Sequence, residues 1–264
     1  PMSIVSLSAL DLSAAALLVV ALAGLSVRMR LNLAGQILVA ALRTTVQLLL
    51  VGFVLRALFS HVHLGWLTLV ALVMLVVAGR EVMSRQQRRF AGWFGYGVGT
   101  VSMCVSSFCI TVLALTVMID IEPWYEPQYA VPLLGMLLGN TMSGIAVSLD
   151  RLTQTAWAQK TTIEARLILG QEWSAAIGEI RKESIRSGLI PIINSMAVAG
   201  IVSLPGMMTG QILAGSPPME AVKYQILIMF LIASGTGFGT LVAVWAACRR
   251  LFDDRQRLRL DRLR

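Results

Sequence analysis

Charged residues are scarce in this sequence. Asp, Glu, Lys and Arg together make up 14% of its 264 residues, whereas a soluble domain has about a quarter. Hydrophobic residues make up 56%, and the mean hydropathy is +0.75. This composition excludes an ordinary soluble domain and predicts an all-α, polytopic membrane protein.

Cysteine is also rare, and Cys104, Cys109 and Cys248 lie within or at the end of apolar runs. Cysteines in such runs behave as small hydrophobic residues. They therefore indicate no disulfide framework and do not identify the redox compartment.

Sequence motifs for enzymatic chemistry are missing. No G-x-x-x-x-G-K-[ST] motif occurs. In that motif the lysine that binds nucleotide phosphates follows a glycine, and none of the three lysines, Lys160, Lys182 and Lys223, does so. The motifs H-E-x-x-H and G-x-S-x-G are absent too. We therefore expect no catalytic residues and no cofactor of its own in this chain.

Seven apolar runs have about the length of 20 residues that a helix needs to cross a bilayer. They cover residues 12–27, 37–58, 64–78, 99–119, 129–149, 189–214 and 224–247. The third run is short enough that a tilted or re-entrant arrangement is an alternative. The runs predict seven spans in a single membrane domain over residues 1–264.

Basic residues predict the orientation of these spans. Four segments that follow alternate spans hold 19 of the 22 Lys and Arg residues, and only Arg43, Arg56 and Lys223 lie elsewhere. Because loops rich in Lys and Arg stay in the cytoplasm, we expect the N terminus outside and the C terminus inside. Asp120, Glu122 and Glu126 then form an external acidic loop, which either attracts cations or is simply the solvated outer side.

The longest predicted cytosolic segment covers residues 151–187 and joins spans five and six. Gly170 suits the left-handed turn at which a helix ends, and Trp173, Ile177 and Ile180 follow it at helical spacing. The segment therefore predicts two short helices hinged at a glycine, with one apolar stripe able to dock. An ordinary loop with two amphipathic helices would show the same pattern.

Polar residues inside the predicted spans are candidates for a translocation path. Arg43 and Gln47 are four residues apart and share a helix face. A charge at this depth normally faces the protein interior or a water-filled cavity, although Arg43 could instead extend to the lipid phosphates at the inner boundary.

The sixth predicted span contains a proline and several methionines. Pro205 and Gly206 interrupt the helix near its outer half, which indicates either a gate or a packing kink. Met196, Met207 and Met208 carry soft thioether ligands, although most methionines in so apolar a chain are packing residues.

The segment around Gly170 resembles the EAA loop with which permeases of ABC transporters contact their ATPase. Glu164 and Ala165 precede Gly170, and Ile180 follows ten residues later. The match is partial, because Lys182 and Glu183 stand where that family has Leu-Pro.

Longer motifs resemble the FetB-type permeases, which are related to plant aluminium-tolerance permeases. Arg43, Gln47 and Gly52 fit the early span of that family. The other matching motifs, in order, are GMLLGNTMSGIAVSLDRL at 135–152, ESIRSGLIP at 183–191, VSLPGMMTG at 202–210 and AVKYQILIMF at 221–230.

This resemblance implies the permease subunit of an ABC exporter in a bacterial inner membrane. The family is associated with iron export, metal homeostasis and resistance to oxidative stress. A homodimer of permeases would pair with two cytosolic ATPase subunits, which would bind ATP and Mg.

The resemblance also assigns expected roles to residues, with the main ATPase contact at 171–180. The expected coupling residues are Glu164, Ala165, Gly170, Gln171, Glu172, Trp173, Ile177 and Ile180. The path residues are a hypothesis drawn from their own side chains and from the helix break, not from the resemblance: Arg43, Gln47, Asn140, Asn194, Ser195, Met196, Pro205, Gly206, Met207 and Met208. Metal ligands and the substrate, including whether iron is chelated, remain unidentified. A self-contained secondary metal transporter or channel, and a membrane scaffold, are the alternatives.

Overall fold

A computed structural model describes residues 8–60 and 63–264. Within these residues the regular secondary structure is helical, and extended pairing is limited to isolated bridges. The all-α prediction is therefore confirmed. The chain divides into an N-terminal unit, which extends to His63 and includes residues 213–215, and a main unit that holds the rest. A single domain over residues 1–264 stays a prediction.

Two apolar helices, α1 (Ala9–Arg28) and α2 (Ala34–Ser60), pack against each other in the N-terminal unit. A capping box starts α1: Ser8 N–H donates to the Asp11 carboxylate, and Asp11 N–H donates to Ser8 Oγ. Most of their large apolar side chains are exposed. Exposed apolar helices of this length are typical of a protein that lies in lipid.

Four further long helices lie in the main unit: α3 (Leu64–Ser84), α4 (Trp93–Met118), α5 (Pro127–Ala158) and α10 (Pro218–Arg250). The third predicted span is not short, because its helix continues to Ser84 and reaches 21 residues. Two π-helical segments, Cys104–Phe108 and Ala114–Met118, interrupt α4. In the part of the chain that the structure describes, six helices are long and apolar enough to cross a membrane.

The sixth predicted span is interrupted, as Pro205 and Gly206 predicted, and is therefore not among the six long helices; the count of seven spans stays a prediction. Helix α8 (Gly178–Val198) ends before the predicted break, and α9 (Gly206–Leu213) begins after it. Residues 199–205 between them are not helical, and Gly200 has a φ of 82°. Pro205 therefore marks the end of a seven-residue break in the helix, not a local kink.

The predicted segment 151–187 is also not separate from the spans. Helix α5 continues through its first residues to Ala158, and α8 already begins at Gly178. Between them lie α6 (Lys160–Ile168) and the single turn α7 (Trp173–Ala176). Two short helical elements therefore flank Gly170, as predicted. The second element, α7, is a single turn and is much shorter than the spacing of Trp173, Ile177 and Ile180 suggested.

Helix α5 is the centre of the main unit and packs against α3, α8 and α10. Glycines let these helices approach closely. A Cβ on Gly144 would lie 2.6 Å from Cγ2 of Thr236 on α10 and 3.2 Å from the carbonyl oxygen of Gly188 on α8. Close contacts of this kind through small residues are the usual means of helix association in membranes.

Candidate functional site

One end of the main unit gathers those segments of this unit that were predicted to be cytosolic. The Thr153 hydroxyl, in the last turns of α5, donates to the backbone oxygen of Arg88 at 2.8 Å. Asp150 accepts the N–H of Gln87 at 2.8 Å, and the Arg88 guanidinium lies 4.1 Å from the centre of the Trp157 ring. The loop after α3 is therefore fixed to α5.

The C-terminal tail, residues 251–264, returns across this end. Backbone hydrogen bonds join Arg264 to Arg89 in both directions, at 2.8 and 3.0 Å, and Ala91 N–H donates to Arg262 at 2.8 Å. The Arg262 side chain donates to the carbonyl oxygen of Arg250 at 2.7 Å. The tail thereby connects the start of α4 to the end of α10. We call the loop after α3, the last turns of α5 and α10, and this tail the basic end.

Two carboxylates in the tail are held in their charged form. Hydrogen bonds from the Arg257 backbone and side chain lower the pKa of Asp253, against the opposing effect of desolvation. A bidentate pair with Arg259 lowers the pKa of Asp261 to about 2. Both acids therefore carry a negative charge at neutral pH, and each is paired with an arginine of the tail.

The turn after α6 is a Schellman motif centred on Gly170. Gly170 has a φ of 86°, its N–H donates to Leu167, and Gln171 N–H donates to Arg166. The left-handed turn predicted at this glycine is thus confirmed. Ile168 and Leu169, just before the turn, are 86% and 82% exposed. We call Ile168 to Gly170 the apolar tip.

The predicted docking stripe is occupied by the chain itself. Ile177 and Ile180 are buried in the core of the main unit. The Trp173 ring lies 5.7 Å from the Phe252 ring, and Trp173 N–H donates to Gln256 Oε1 at 3.1 Å. These side chains hold the segment in place, so the surface left for a partner is the apolar tip with the exposed Gln171 and Glu172.

A groove of about 820 Å³ runs beside the apolar tip, and residues of α6 and of the tail line it. Glu164 is one of them and forms an ion pair with Lys160 at 3.8 Å. Ala165 is exposed on the same helix. The sequence analysis did not identify Ile168 and Leu169 as an exposed apolar pair, and it did not predict that the tail would line this groove. The apolar pair before a capping glycine was visible in the sequence, whereas nothing local indicated where the tail would pack.

The candidate path residues are distributed over both units. Arg43 and Gln47 are exposed one turn apart on α2 of the N-terminal unit. In the main unit, Asn140 is exposed on α5, where its amide donates to the Met136 carbonyl at 2.8 Å. On α8, Asn194 and Ser195 are exposed and Met196 is half-buried. Pro205 and Gly206 lie where the helix break ends and α9 begins, and Met207 and Met208 on α9 are half-buried. Their role in a path stays a prediction.

The predicted acidic loop lies between α4 and α5. Asp120 and Glu122 are exposed, and Glu126 is half-buried at the start of α5. Among residues 8–60 and 63–264, no group of three His, Cys, Asp or Glu side chains is placed to hold a metal ion.

Comparison with known proteins gives matches over nearly the whole chain. Residues 9–252 match the model of the family described as "Uncharacterised protein family (UPF0014)". The UPF0014 membrane protein slr1647 of Synechocystis is 38% identical, over 86% of this chain and 87% of its own. The probable iron export permease protein FetB of Escherichia coli is 32% identical over 96% of both chains.

A plant protein matches as well. The protein ALUMINUM SENSITIVE 3 of Arabidopsis thaliana is 32% identical, over 92% of this chain and 87% of its own. No solved structure matches. The resemblance drawn from the sequence motifs is thereby confirmed.

Proposed function

We propose, from the premise that this chain belongs to the UPF0014 family of membrane proteins, that it is the permease subunit of an ABC exporter. Its relative FetB is named a probable iron export permease, and six apolar helices in this chain can cross a membrane. The proposed location is the inner membrane of a bacterium. The proposed assembly is a homodimer of permeases with two ATPase subunits that bind ATP and Mg.

The apolar tip is the observation that carries this proposal. Burying a leucine or isoleucine side chain is worth about 1.5–3 kcal/mol, and the tip leaves two such side chains almost fully exposed, next to each other, at the basic end. A partner protein that covers Ile168 and Leu169 would gain this free energy. We assign that role to the ATPase.

The contacts behind the tip suit the transmission of force. The Arg166 side chain donates to the carbonyl oxygen of Ala176 at 3.2 Å, which ties α6 to α7. Buried Ile177 connects α7 to the core, and Trp173 connects it to the tail. A displacement of the tip would therefore reach α8 directly, and α10 through the tail. ATP could drive transport in this way, provided that nucleotide binds the inward-facing and outward-facing states with different affinity.

The proposed substrate is iron, either bare or chelated. The candidate path residues on α2, α5, α8 and α9 would contact it during transport. A secondary metal transporter or channel, or a scaffold, remains the alternative class. Only the exporter requires an ATPase for movement of the substrate.

The test is reconstitution in proteoliposomes with the ATPase subunit encoded in the same organism. We expect Ile168→Ser with Leu169→Ser to abolish binding of the ATPase and its stimulated ATP hydrolysis. Ile201→Ser with Val202→Ser is the matched control, because this pair is 88% and 80% exposed beside the left-handed Gly200. The control should still bind the ATPase.

The outcomes separate the alternatives. Iron that moves only with ATP, to the side opposite the ATPase, supports the exporter. Iron movement without any ATPase supports the secondary transporter or channel. An assembled complex that hydrolyses ATP but moves no iron contradicts the substrate, and a complex that assembles without either activity supports the scaffold.

A further inference from the structure

A small cavity at the basic end combines arginine and aromatic side chains. Its volume is about 290 Å³, and α4, α7, α10 and the tail all contribute to its walls. Phe94 and Trp173 supply rings, and Arg249, Arg250 and Arg262 supply guanidinium groups. The apolar tip contains none of these residues, although Trp173 also belongs to the contacts behind the tip.

Two of these arginines are oriented but unpaired. The Arg250 guanidinium lies 5.0 Å from the centre of the Phe94 ring, and that of Arg249 lies 5.8 Å from the Trp173 ring. Neither has a carboxylate partner within residues 8–60 and 63–264. Contact with an aromatic face leaves the N–H groups at the guanidinium edge available as donors.

The acidic residues beside the cavity do not neutralise this pair. Asp253 forms an ion pair with Arg257 at 2.9 Å and also accepts backbone N–H groups. Asp254 lines the cavity as well, but it is exposed to solvent. The positive charge of Arg249 and Arg250 is therefore available to an anion, and a fork of guanidinium donors suits phosphate in particular.

Exposed apolar and aromatic side chains lie next to the two arginines. Phe238, Leu241 and Trp245 form an exposed apolar face of α10, and Arg249 follows Trp245 by one turn. Trp93, at the start of α4 beside Phe94, is 88% exposed. Because tryptophan is enriched where a membrane meets water, we expect this part of the cavity to border the headgroup region.

We propose that this cavity binds the phosphate of an anionic lipid, with Arg249 and Arg250 as its ligands. A soluble phosphate would offer the same chemistry, but the exposed tryptophans and the apolar face of α10 favour a phosphate that carries acyl chains. Since Trp173 forms one wall, a bound lipid would also hold the segment after Gly170 against α10.

Native mass spectrometry of the purified full-length protein tests this proposal, with phosphatidylglycerol and phosphatidylcholine as probes. We expect phosphatidylglycerol to bind tightly and phosphatidylcholine weakly. Arg249→Gln with Arg250→Gln should weaken phosphatidylglycerol binding at least about tenfold, because two charge-assisted contacts are lost. Arg255→Gln with Arg264→Gln changes the net charge equally and should leave binding unchanged.

Several results would overturn the proposal. Equal weakening in both double variants would indicate general attraction to a basic surface. Equal binding of the two lipids would show no preference for anionic headgroups, and displacement by millimolar inorganic phosphate would indicate a soluble ligand. If Arg249→Gln with Arg250→Gln does not fold, the single variants Arg249→Gln and Arg250→Gln decide. Each removes one charge-assisted contact and should weaken phosphatidylglycerol binding; unchanged affinity in both would refute the site.

Discussion

Replacement of Gly188 by alanine tests the crossing of α8 and α5. A Cβ at this position would overlap the Ser148 hydroxyl and lie 2.5 Å from the carbonyl oxygen of Gly144. Ordinary van der Waals contact begins at 3.4 Å. The Ser148 side chain can rotate away, but the Gly144 carbonyl is part of a helical backbone, so the two helices must separate by most of an ångström.

Overpacking of this kind costs about 1–3 kcal/mol. In a chain of this size each kcal/mol lowers the Tm by about 2–4 °C. We therefore expect Gly188→Ala to lower the Tm by roughly 2–12 °C. The measurement is thermal unfolding of the purified protein in detergent, followed by intrinsic tryptophan fluorescence.

Two variants control for the effect of alanine itself. Gly139 on α5 and Gly237 on α10 have open space where a Cβ would lie, and alanine favours a helix over glycine by about 1 kcal/mol. Both should melt at or slightly above the wild-type Tm. Adding Ser148→Ala to Gly188→Ala should restore only part of the loss, because the Gly144 carbonyl remains. A Gly188→Ala protein that melts like Gly139→Ala would refute the close crossing.

Three further variants test the basic end and the path. Thr153→Val leaves the Arg88 carbonyl without its donor, and thermal unfolding should show a loss of about 1–3 kcal/mol in the free energy of unfolding. Thr68→Val is the control and should be nearly neutral, because the Thr68 hydroxyl donates only within its own helix. Gln256→Ala removes the acceptor of Trp173 N–H. Loss of this hydrogen bond, worth about 1 kcal/mol, should accelerate hydrogen exchange of the Trp173 amide roughly fivefold. An unchanged exchange rate would contradict the hydrogen bond. Arg43→Ala should reduce transport in an intact complex, and normal transport would remove Arg43 from the path.

Local patterns were sufficient for the helices and for one turn. Apolar runs of bilayer length correspond to the six long helices, and a glycine after an apolar turn predicted the left-handed conformation at Gly170. The interruption predicted at Pro205 and Gly206 is present, but it is longer than a proline alone indicates, because hydropathy measures transfer to lipid and does not report that residues 199–205 leave the helix.

Periodicity was less informative about partners. The spacing of Trp173, Ile177 and Ile180 indicated one buried face, but a repeat of apolar residues does not identify what covers that face. In the folded chain the core and the tail cover it, and the exposed apolar side chains are instead Ile168 and Leu169. The coupling contact is therefore expected one turn earlier than the stripe suggested.

The sequence by itself determined that this is an all-α membrane protein of its family, because composition, apolar length and motif order are properties of the linear chain. Only the tertiary structure decided which surfaces are occupied. Gln256 is 83 residues from Trp173, and Arg264 is far from Arg89 along the chain, yet hydrogen bonds join both pairs. Contacts between such distant residues depend on how α3, α5 and α10 pack, which no local pattern encodes.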